Sequence, residues 1–412
     1  MPKLIQINVT ANSGSTGRIA EQINHLAQQR GWSTFLAYGR DMQPCESQLI
    51  HVGNNWQVKE HFIESEIFDN DGLASRIATR KFIREIVEIK PDVIHLHNIH
   101  GHWLNYKILF EYLNTHDIPI VWTTHDPWPF TGCGHFSLLN CYRWRDGGCT
   151  NGCPRKKGRL LKRLFEKTEK QFIQKRDLLL SNKNLTIVPN SRWMEDIVRQ
   201  SFLKNNNIVT ILNGIDIDLF KPYENKDILR KYGIDGCQYV VGVASVWYKN
   251  KGIDDYKKLA LRLGERIKVV MVGGGLDSTE LAKYGVIVVP RTENVNELTA
   301  IYTGAEVVLN LSYQESFGLT SVEGYGCGRP TVVFNCTASP ELVEGGKTGR
   351  VVELGDIDGL VRAIDELVLV NQQELSKECR QRAVEFYDKN KKYIQYVELY
   401  ESLLKNKIQA EQ

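Results

Sequence analysis

Short apolar runs alternate with helical stretches from one end of this chain to the other, and that alternation restricts it to parallel sheets covered by helices. In the first half the strand candidates are Leu4 to Val9, Ser33 to Tyr38, Val93 to His97, Ile118 to Thr123 and Leu185 to Val188. Helical patterns such as Arg18 to Gln29 and Ile77 to Ile89 fall between them. In the second half the strands are Tyr239 to Ala244, Ile267 to Val272, Val286 to Val289, Val307 to Leu311 and Thr331 to Phe334. Leu360, Ala363, Ile364 and Leu367 have the one-sided spacing of a helix packed on such a sheet.

At 412 residues the chain suits two α/β domains of roughly 200 residues each. The stretch Asn205 to Pro222 contains Asn213-Gly214 and ends in Lys221-Pro222, turn chemistry suited to a connection. The expected division is 1–205, 206–385 and a final segment, 386–412. That last helix carries Tyr393, Val397, Tyr400 and Leu404 on one stripe and has no strand of its own, so it is expected to pack back on the first domain. Two doubly wound sheets facing across a cleft would bind ligands beyond the carboxyl ends of their strands.

Composition narrows the function. Hydrophobic residues make up 42% and charged residues 25%, the balance of a soluble enzyme. A net charge of +3 gives no global field favouring nucleic acid. Apolar runs such as Val269 to Val272 are too short to span a bilayer. The segment Met1 to Val9 reads as a first strand, without the regions of a signal peptide. A cytoplasmic location is the expectation, and with it mostly reduced cysteines.

The stretch from Glu306 to Val333 carries the chemistry. It reads as a buried strand, a short polar loop Glu315-Ser316-Phe317-Gly318, a helix, then Gly328-Arg329-Pro330 leading into the next strand. The backbone N–H groups of Phe317, Gly318 and Leu319 would lie at the helix start, where anionic groups bind favourably. Gly318 permits close approach of a ligand. Glu315 in the loop and Glu323 in the helix can each accept a pair of sugar hydroxyls. Two glutamates eight apart mean little on a bare helix; between strand and helix they define a candidate site.

In this stretch the chain resembles the retaining GT-B glycosyltransferases of family 4 (group 1), which include sucrose synthases, mannosyltransferases and many bacterial polysaccharide enzymes. The Glu-x7-Glu hallmark stands as Glu315 to Glu323. Asn213-Gly214-Ile215-Asp216, Lys251-Gly252, Gly273-Gly274-Gly275 and Gly345-Gly346-Lys347-Thr348-Gly349 resemble further family segments. The resemblance implies a GT-B fold and a UDP- or GDP-sugar donor, with Glu323 on the nucleotide ribose and Glu315 on the transferred sugar. It also implies backbone donors at Phe317, Gly318 and Leu319, and Lys251 on the diphosphate, with no metal needed for catalysis. Family members usually carry an arginine shortly before that lysine; here Lys249 stands in the run Ala244 to Lys251.

In the first half, Ala11 to Ile19 is a glycine turn opening a helix, without the Gly-x-Gly-x-x-Gly spacing of a dinucleotide fingerprint. It fits either an ordinary strand-to-helix turn or the family's donor-closing loop, with Gly17 against the donor. His95 and His97 share one strand face, which suits packing, acceptor contact or metal. His125 follows another strand and matches the family's histidine near the transferred sugar. Cys133, Cys141, Cys149 and Cys153 crowd the insertion 131–155, with the spacing C-x7-C-x7-C-x3-C. Four such thiols can enclose a structural zinc ion, form disulfides or be unrelated; a reduced compartment favours zinc. A similar loop occurs in a bacterial subset of the family linked to exopolysaccharide assembly of the colanic-acid type.

After the cysteines, Arg155 to Arg159 leads into a stretch with Leu160, Leu161, Leu164, Phe165 and Phe172 on one face. Lys162, Arg163, Lys167 and Lys170 take the other. Such a helix either lies on anionic membrane, reaching a lipid-linked acceptor, or buries its apolar face in the domain. The function implied is transfer of a hexosyl group to a hydroxyl of a growing glycan with retention of configuration. The alternatives are a sugar-nucleotide epimerase of the same fold and a non-catalytic nucleotide-sugar or polysaccharide-binding protein.

Overall fold

The computed structural model describes residues 1–132, 141–145, 148–154 and 164–411. The chain forms two compact units, one of Met1–Ile211 with Tyr393–Gln412, the other of Leu212–Lys392. The first unit is therefore closed by the end of the chain, and the second is an insertion between the two segments of the first.

Unit 1 holds a sheet of seven strands: β1 (Lys3–Ile7), β2 (Ser33–Tyr38), β3 (Gln48–His51), β4 (Val93–Leu96), β5 (Ile120–Thr124), β6 (Leu185–Pro189) and β7 (Asn207–Ile208). Their order is β3-β2-β1-β4-β5-β6-β7, and every pairing is parallel. Because side chains alternate along a strand, β1 sends Ile5 and Ile7 into one core and Leu4 into another. The first core is covered by helices that include Arg76–Ile89 and Tyr106–Leu113. The second lies under helix Gly14–Gln29 and the long last helix, Lys389–Glu411. Tyr393, Tyr396, Val397 and Tyr400 of that last helix are fully buried with Leu4, Ile23, Val93 and Val121, as a helix without its own strand requires.

Unit 2 repeats the plan with six strands: β8 (Tyr239–Val246), β9 (Lys268–Gly274), β10 (Val286–Val289), β11 (Val307–Asn310), β12 (Thr331–Phe334) and β13 (Gly349–Val352). The order is β10-β9-β8-β11-β12-β13, again parallel throughout. Both units thus have the doubly wound order in which the winding reverses beside the first strand. The reversal lies between β1 and β4 in unit 1, and between β8 and β11 in unit 2. Strand connections diverge there and leave a crevice at the carboxyl ends, the usual ligand position in such sheets. Among the described residues no helix is long and apolar enough to cross a membrane.

Candidate active site

In unit 2 the two loops that leave the reversal point meet. The loop after β8 ends in a single tight turn, Lys249–Lys251, and Gly252. The loop after β11 carries Ser312 to Gly318 and opens helix Leu319–Gly326. The Tyr313 N–H donates to the Asn250 carbonyl at 2.9 Å, which ties the two loops together. Gly252 has φ +78°, and a Cβ there would overlap the Leu311 carbonyl oxygen. The Lys-Gly pair is therefore a packing requirement: glycine lets the lysine turn lie flat against the loop that holds Glu315.

The consequence is an ion pair between residues 64 positions apart, Lys251 Nζ to Glu315 Oε1 at 2.6 Å. Burial pulls the Lys251 ammonium down, but the Glu315 carboxylate beside it outweighs that and lifts its pKa above the usual lysine range. Both side chains remain partly exposed, at 21% and 17%, so a ligand can reach them. Glu315 is held through its backbone: its N–H donates to Thr337 Oγ1 at 2.9 Å, and its carbonyl accepts from the Ala338 N–H at 3.2 Å. Thr337 itself sits at φ +50°, a conformation a β-branched residue adopts only where its surroundings impose it.

Helix Leu319–Gly326 begins at Gly318 with φ +98°, no side-chain cap and no acidic residue in its first turn. An uncapped start leaves N–H groups and the positive end of the helix dipole for an anion. Among the described residues, Asn310 Nδ2, Gln314 Oε1 and Ser339 Oγ around this loop are buried without a hydrogen-bond partner. Unsatisfied groups of this kind cost roughly 1–3 kcal/mol each and gather where structure is bent to a task. The Phe317 ring is buried and meets Tyr387 edge-on at 5.9 Å, so only its backbone faces the loop. Glu323 lies one helical turn along, and its Oε2 accepts the Tyr302 hydroxyl at 2.9 Å. Burial and the Glu323 carboxylate hold the Tyr302 hydroxyl protonated, far above its usual range. Lys249 stands exposed in the same turn as Lys251.

In unit 1 the strand ends at the reversal point carry histidines. His95, His97 and His125 are all buried, and period-two alternation puts them with Gln6 and Thr123 on one face of the sheet. His95 Nδ1 lies 2.6 Å from the Tyr400 hydroxyl and its Nε2 2.7 Å from Thr123 Oγ1. His97 lies between Gln6 and His125. His100 follows, 2.8 Å from Asp126, which raises its pKa despite the opposing effect of burial. Gly17 falls within helix Gly14–Gln29 rather than in the loop before it, buried where a Cβ would stand 2.7 Å from Thr10 Oγ1.

The cysteine insertion is described in part. Cys149 and Cys153 are buried and Cys141 half-buried, while Cys133 lies outside the described residues. Among the described residues no group of three or more metal-binding side chains gathers. The basic residues Arg155 to Arg163, with Leu160 and Leu161, also lie outside the described residues. Beyond them Leu164 and Phe165 are exposed, Lys167 donates to Asn70, and Phe172 is buried in helix Thr168–Leu180.

Sequence reading did not single out Tyr302, Thr337 or Gln6. Their types are ordinary for a helix, a loop and a strand, and only the long-range contacts give Tyr302 and Thr337 a part at the reversal point of unit 2 and Gln6 one at that of unit 1.

Residues 13–219, half of the chain, match the family described as Glycosyltransferase Family 4, and residues 237–369 match Glycosyl transferases group 1. The chain belongs to glycosyltransferase family 4. A D-inositol 3-phosphate glycosyltransferase of Corynebacterium aurimucosum is 27% identical over 300 residues, covering 68% of this chain and 64% of the relative. An N-acetyl-alpha-D-glucosaminyl L-malate synthase of Bacillus anthracis is 26% identical over 216 residues, 49% of this chain and 55% of the relative. The chain thus spans less than two thirds of the length of either. An uncharacterized 41.2 kDa protein in the cps region of Klebsiella pneumoniae is 22% identical over 318 residues, 76% of this chain and 79% of that one.

Solved structures agree on the fold. Sucrose-phosphate synthase of Thermosynechococcus elongatus superposes with a TM-score of 0.72 at 16% identity, covering 98% of this chain and all of the other. Anabaena HepE, solved in complex with UDP and glucose, gives 0.66 at 15% identity over 98% of this family 4 chain and all of the other. The fold of this chain is GT-B, built from two Rossmann-like units.

Proposed function

We propose that this protein is a retaining glycosyltransferase that moves a hexosyl group from a UDP- or GDP-sugar to a hydroxyl of a growing, lipid-linked glycan. The observation that carries the reading is the Lys251–Glu315 pair at the reversal point of unit 2, beside an uncapped helix start. A diphosphate arriving there replaces Glu315 as the partner of Lys251, with Lys249 alongside and the N–H groups of Gly318 and Leu319 beneath. Glu315, released from the lysine, then accepts hydroxyls of the transferred sugar, and Glu323, oriented by Tyr302, those of the ribose. His125 in unit 1 hydrogen-bonds a sugar hydroxyl.

In the same-face reaction, the bond from the anomeric carbon to the phosphate oxygen breaks as the acceptor oxygen bonds to that carbon. The acceptor's proton passes to the departing phosphate. Lys251 and the helix start stabilise the negative charge that develops there, so the chain's own residues supply the electrostatic work. The complexes of HepE with UDP-glucose support a sugar-nucleotide donor. The Klebsiella cps-region protein and WaaG, described as involved in lipopolysaccharide biosynthesis, support a cell-surface glycan as product. That glycan is proposed to be lipid-linked, with the basic stretch after the cysteines touching the inner face of the cytoplasmic membrane.

A structural zinc on Cys133, Cys141, Cys149 and Cys153 is a second part of the proposal. Cys149 Sγ already accepts the Gly132 N–H at 3.3 Å, the sort of contact that steadies a thiolate ligand. Metal analysis of the purified chain tests it, with one zinc per chain expected and none contradicting it.

The donor test is a screen of UDP- and GDP-sugars with purified protein, following release of nucleoside diphosphate and the anomeric form of the product. Consumption of one donor with retention, reduced roughly 100- to 1,000-fold in Glu315→Ala, is the expected result. Binding without turnover, with any acceptor, would favour the binding-protein reading; conversion of the sugar nucleotide itself would favour an epimerase.

A further inference from the structure

A line of hydrogen bonds runs through the buried face of unit 1 from helix Gly14–Gln29 to His125, and the chemistry at its fixed points orders every proton along it. The Ala20 carbonyl oxygen can only accept. It lies 2.8 Å from Gln6 Nε2, so the amide nitrogen of Gln6 faces the helix. The same nitrogen donates to Asn24 Oδ1 at 2.7 Å. Asn24 in turn presents its own Nδ2 to Ser47 Oγ at 2.8 Å, and the Ser47 hydroxyl donates to Glu21 Oε2 at 2.6 Å. Glu21 Oε1 accepts the Glu46 N–H at 2.6 Å, so an acceptor-only carboxylate closes the far end.

With its nitrogen committed, Gln6 turns Oε1 toward His97 Nε2 at 2.5 Å, and that ring nitrogen must carry the proton. A neutral imidazole has one N–H, so His97 Nδ1 is a lone pair. It stands 2.9 Å from His125 Nε2, which must therefore be the donor. Burial keeps both rings neutral in the physiological range: His97 is held well below its ordinary value, and His125 is lowered to about 4.

We propose that Gln6 is a positioning residue that fixes His125 as its Nε2–H tautomer, leaving Nδ1 an acceptor for a ligand O–H or N–H. His125 sits just beyond the carboxyl end of β5 and keeps 7% exposure, enough for a ligand atom to touch the ring. In this state Nδ1 accepts a hydrogen bond from a sugar hydroxyl and donates none to a phosphate or carbonyl oxygen. The tautomer belongs to the unliganded protein; only its use on a sugar hydroxyl rests on the transferase reading.

The test is a long-range proton–nitrogen correlation spectrum of the full chain labelled with nitrogen-15 in its histidine rings. Signals are assigned by their loss in His97→Gln and His125→Gln. The wild type should show His125 as a single Nε2–H form between neutral pH and pH 8. Gln6→Met, which removes the acceptor, should turn that pattern into a mixture of both tautomers, and Gln6→Glu, which keeps an oxygen facing His97, should restore it. A wild-type His125 that carries its proton on Nδ1 overturns the proposal, as does a Gln6→Met spectrum unchanged at His125. If Gln6→Met does not fold, the wild-type spectrum still decides. A protein that binds no sugar nucleotide would sink the donor reading and leave this tautomer where it is.

Discussion

The two units share one strand order but equip their reversal points in opposite ways. All ten histidines of the chain lie in unit 1 and none in unit 2. At the carboxyl ends of β1, β4 and β5, neutral buried rings are locked together by hydrogen bonds. At the ends of β8 and β11, the side chains are charged, partly exposed and paired across a glycine turn. Charged groups that can exchange partners suit a diphosphate that arrives and leaves as a charge. Neutral, wired groups suit recognition of hydroxyls, whose geometry must be waiting in place.

The largest expected difference between the units is their response to acid. Burial lowers the pKa of His125 and His61 from 6.5 to about 4, and His95 and His97 shift the same way. Between pH 6.5 and 4 the unfolded chain binds protons at these rings and the folded chain does not. Their stabilisation is therefore full above pH 6.5 and is lost as pH falls toward 4, about 3 kcal/mol for each of His61 and His125. His100, raised by Asp126, works in the other sense and offsets part of the loss. Peptide-resolved hydrogen exchange at pH 7 and pH 5, corrected for intrinsic rates, should show protection falling in 1–211 and holding in 212–392. Equal losses in both units would remove the distinction.

A smaller effect should follow Gly252→Ala in unit 2. The left-handed backbone and the Leu311 carbonyl together make the methyl group costly, roughly 1–3 kcal/mol from the backbone alone. Thermal unfolding should move down by several degrees and the donor KM should rise, because the turn that carries Lys251 must shift. A lowered melting temperature with unchanged KM would show that the turn is structural only.

The smallest is Tyr302→Phe, which removes one hydrogen bond to Glu323, worth about 1 kcal/mol. The donor KM should rise about fivefold with little change in kcat. A selective fall in kcat would place Glu323 at the reacting carbon instead of the nucleotide.

Ten of the strands, the loop at Glu315 and the helix that follows were legible because period and turn chemistry are local; the short edge strands β3, β7 and β13 were not among those expected. The strand β8 runs on to Val246, past the Ala244 expected, because Trp247 and Gly273 let it continue alongside β9: the Trp247 N–H bonds the Gly274 carbonyl, and a Cβ at Gly273 would overlap the Ala244 oxygen. Helix Gly14–Gln29 begins earlier than its apolar face suggested, since its first turn packs through Gly17 against Thr10. What could not be read were partners far apart in the chain. Lys251 and Glu315 each announced themselves through a motif, but their pairing depends on Gly252 lying against Leu311. Gln6, Asn24 and Glu21 gave no signal, because a polar residue on a half-read strand or helix looks solvated until both faces of its sheet are covered. The shared face of His95 and His97 was visible; what they touch was not.

The proposed exchange by Lys251 of Glu315 for a donor diphosphate is the central step. Calorimetric titration of the wild type and Lys251→Met with the sugar nucleotide selected by the donor screen tests that exchange directly. Binding by the wild type, weakened at least roughly tenfold in Lys251→Met, is the predicted result. Equal affinity in the two proteins would contradict it.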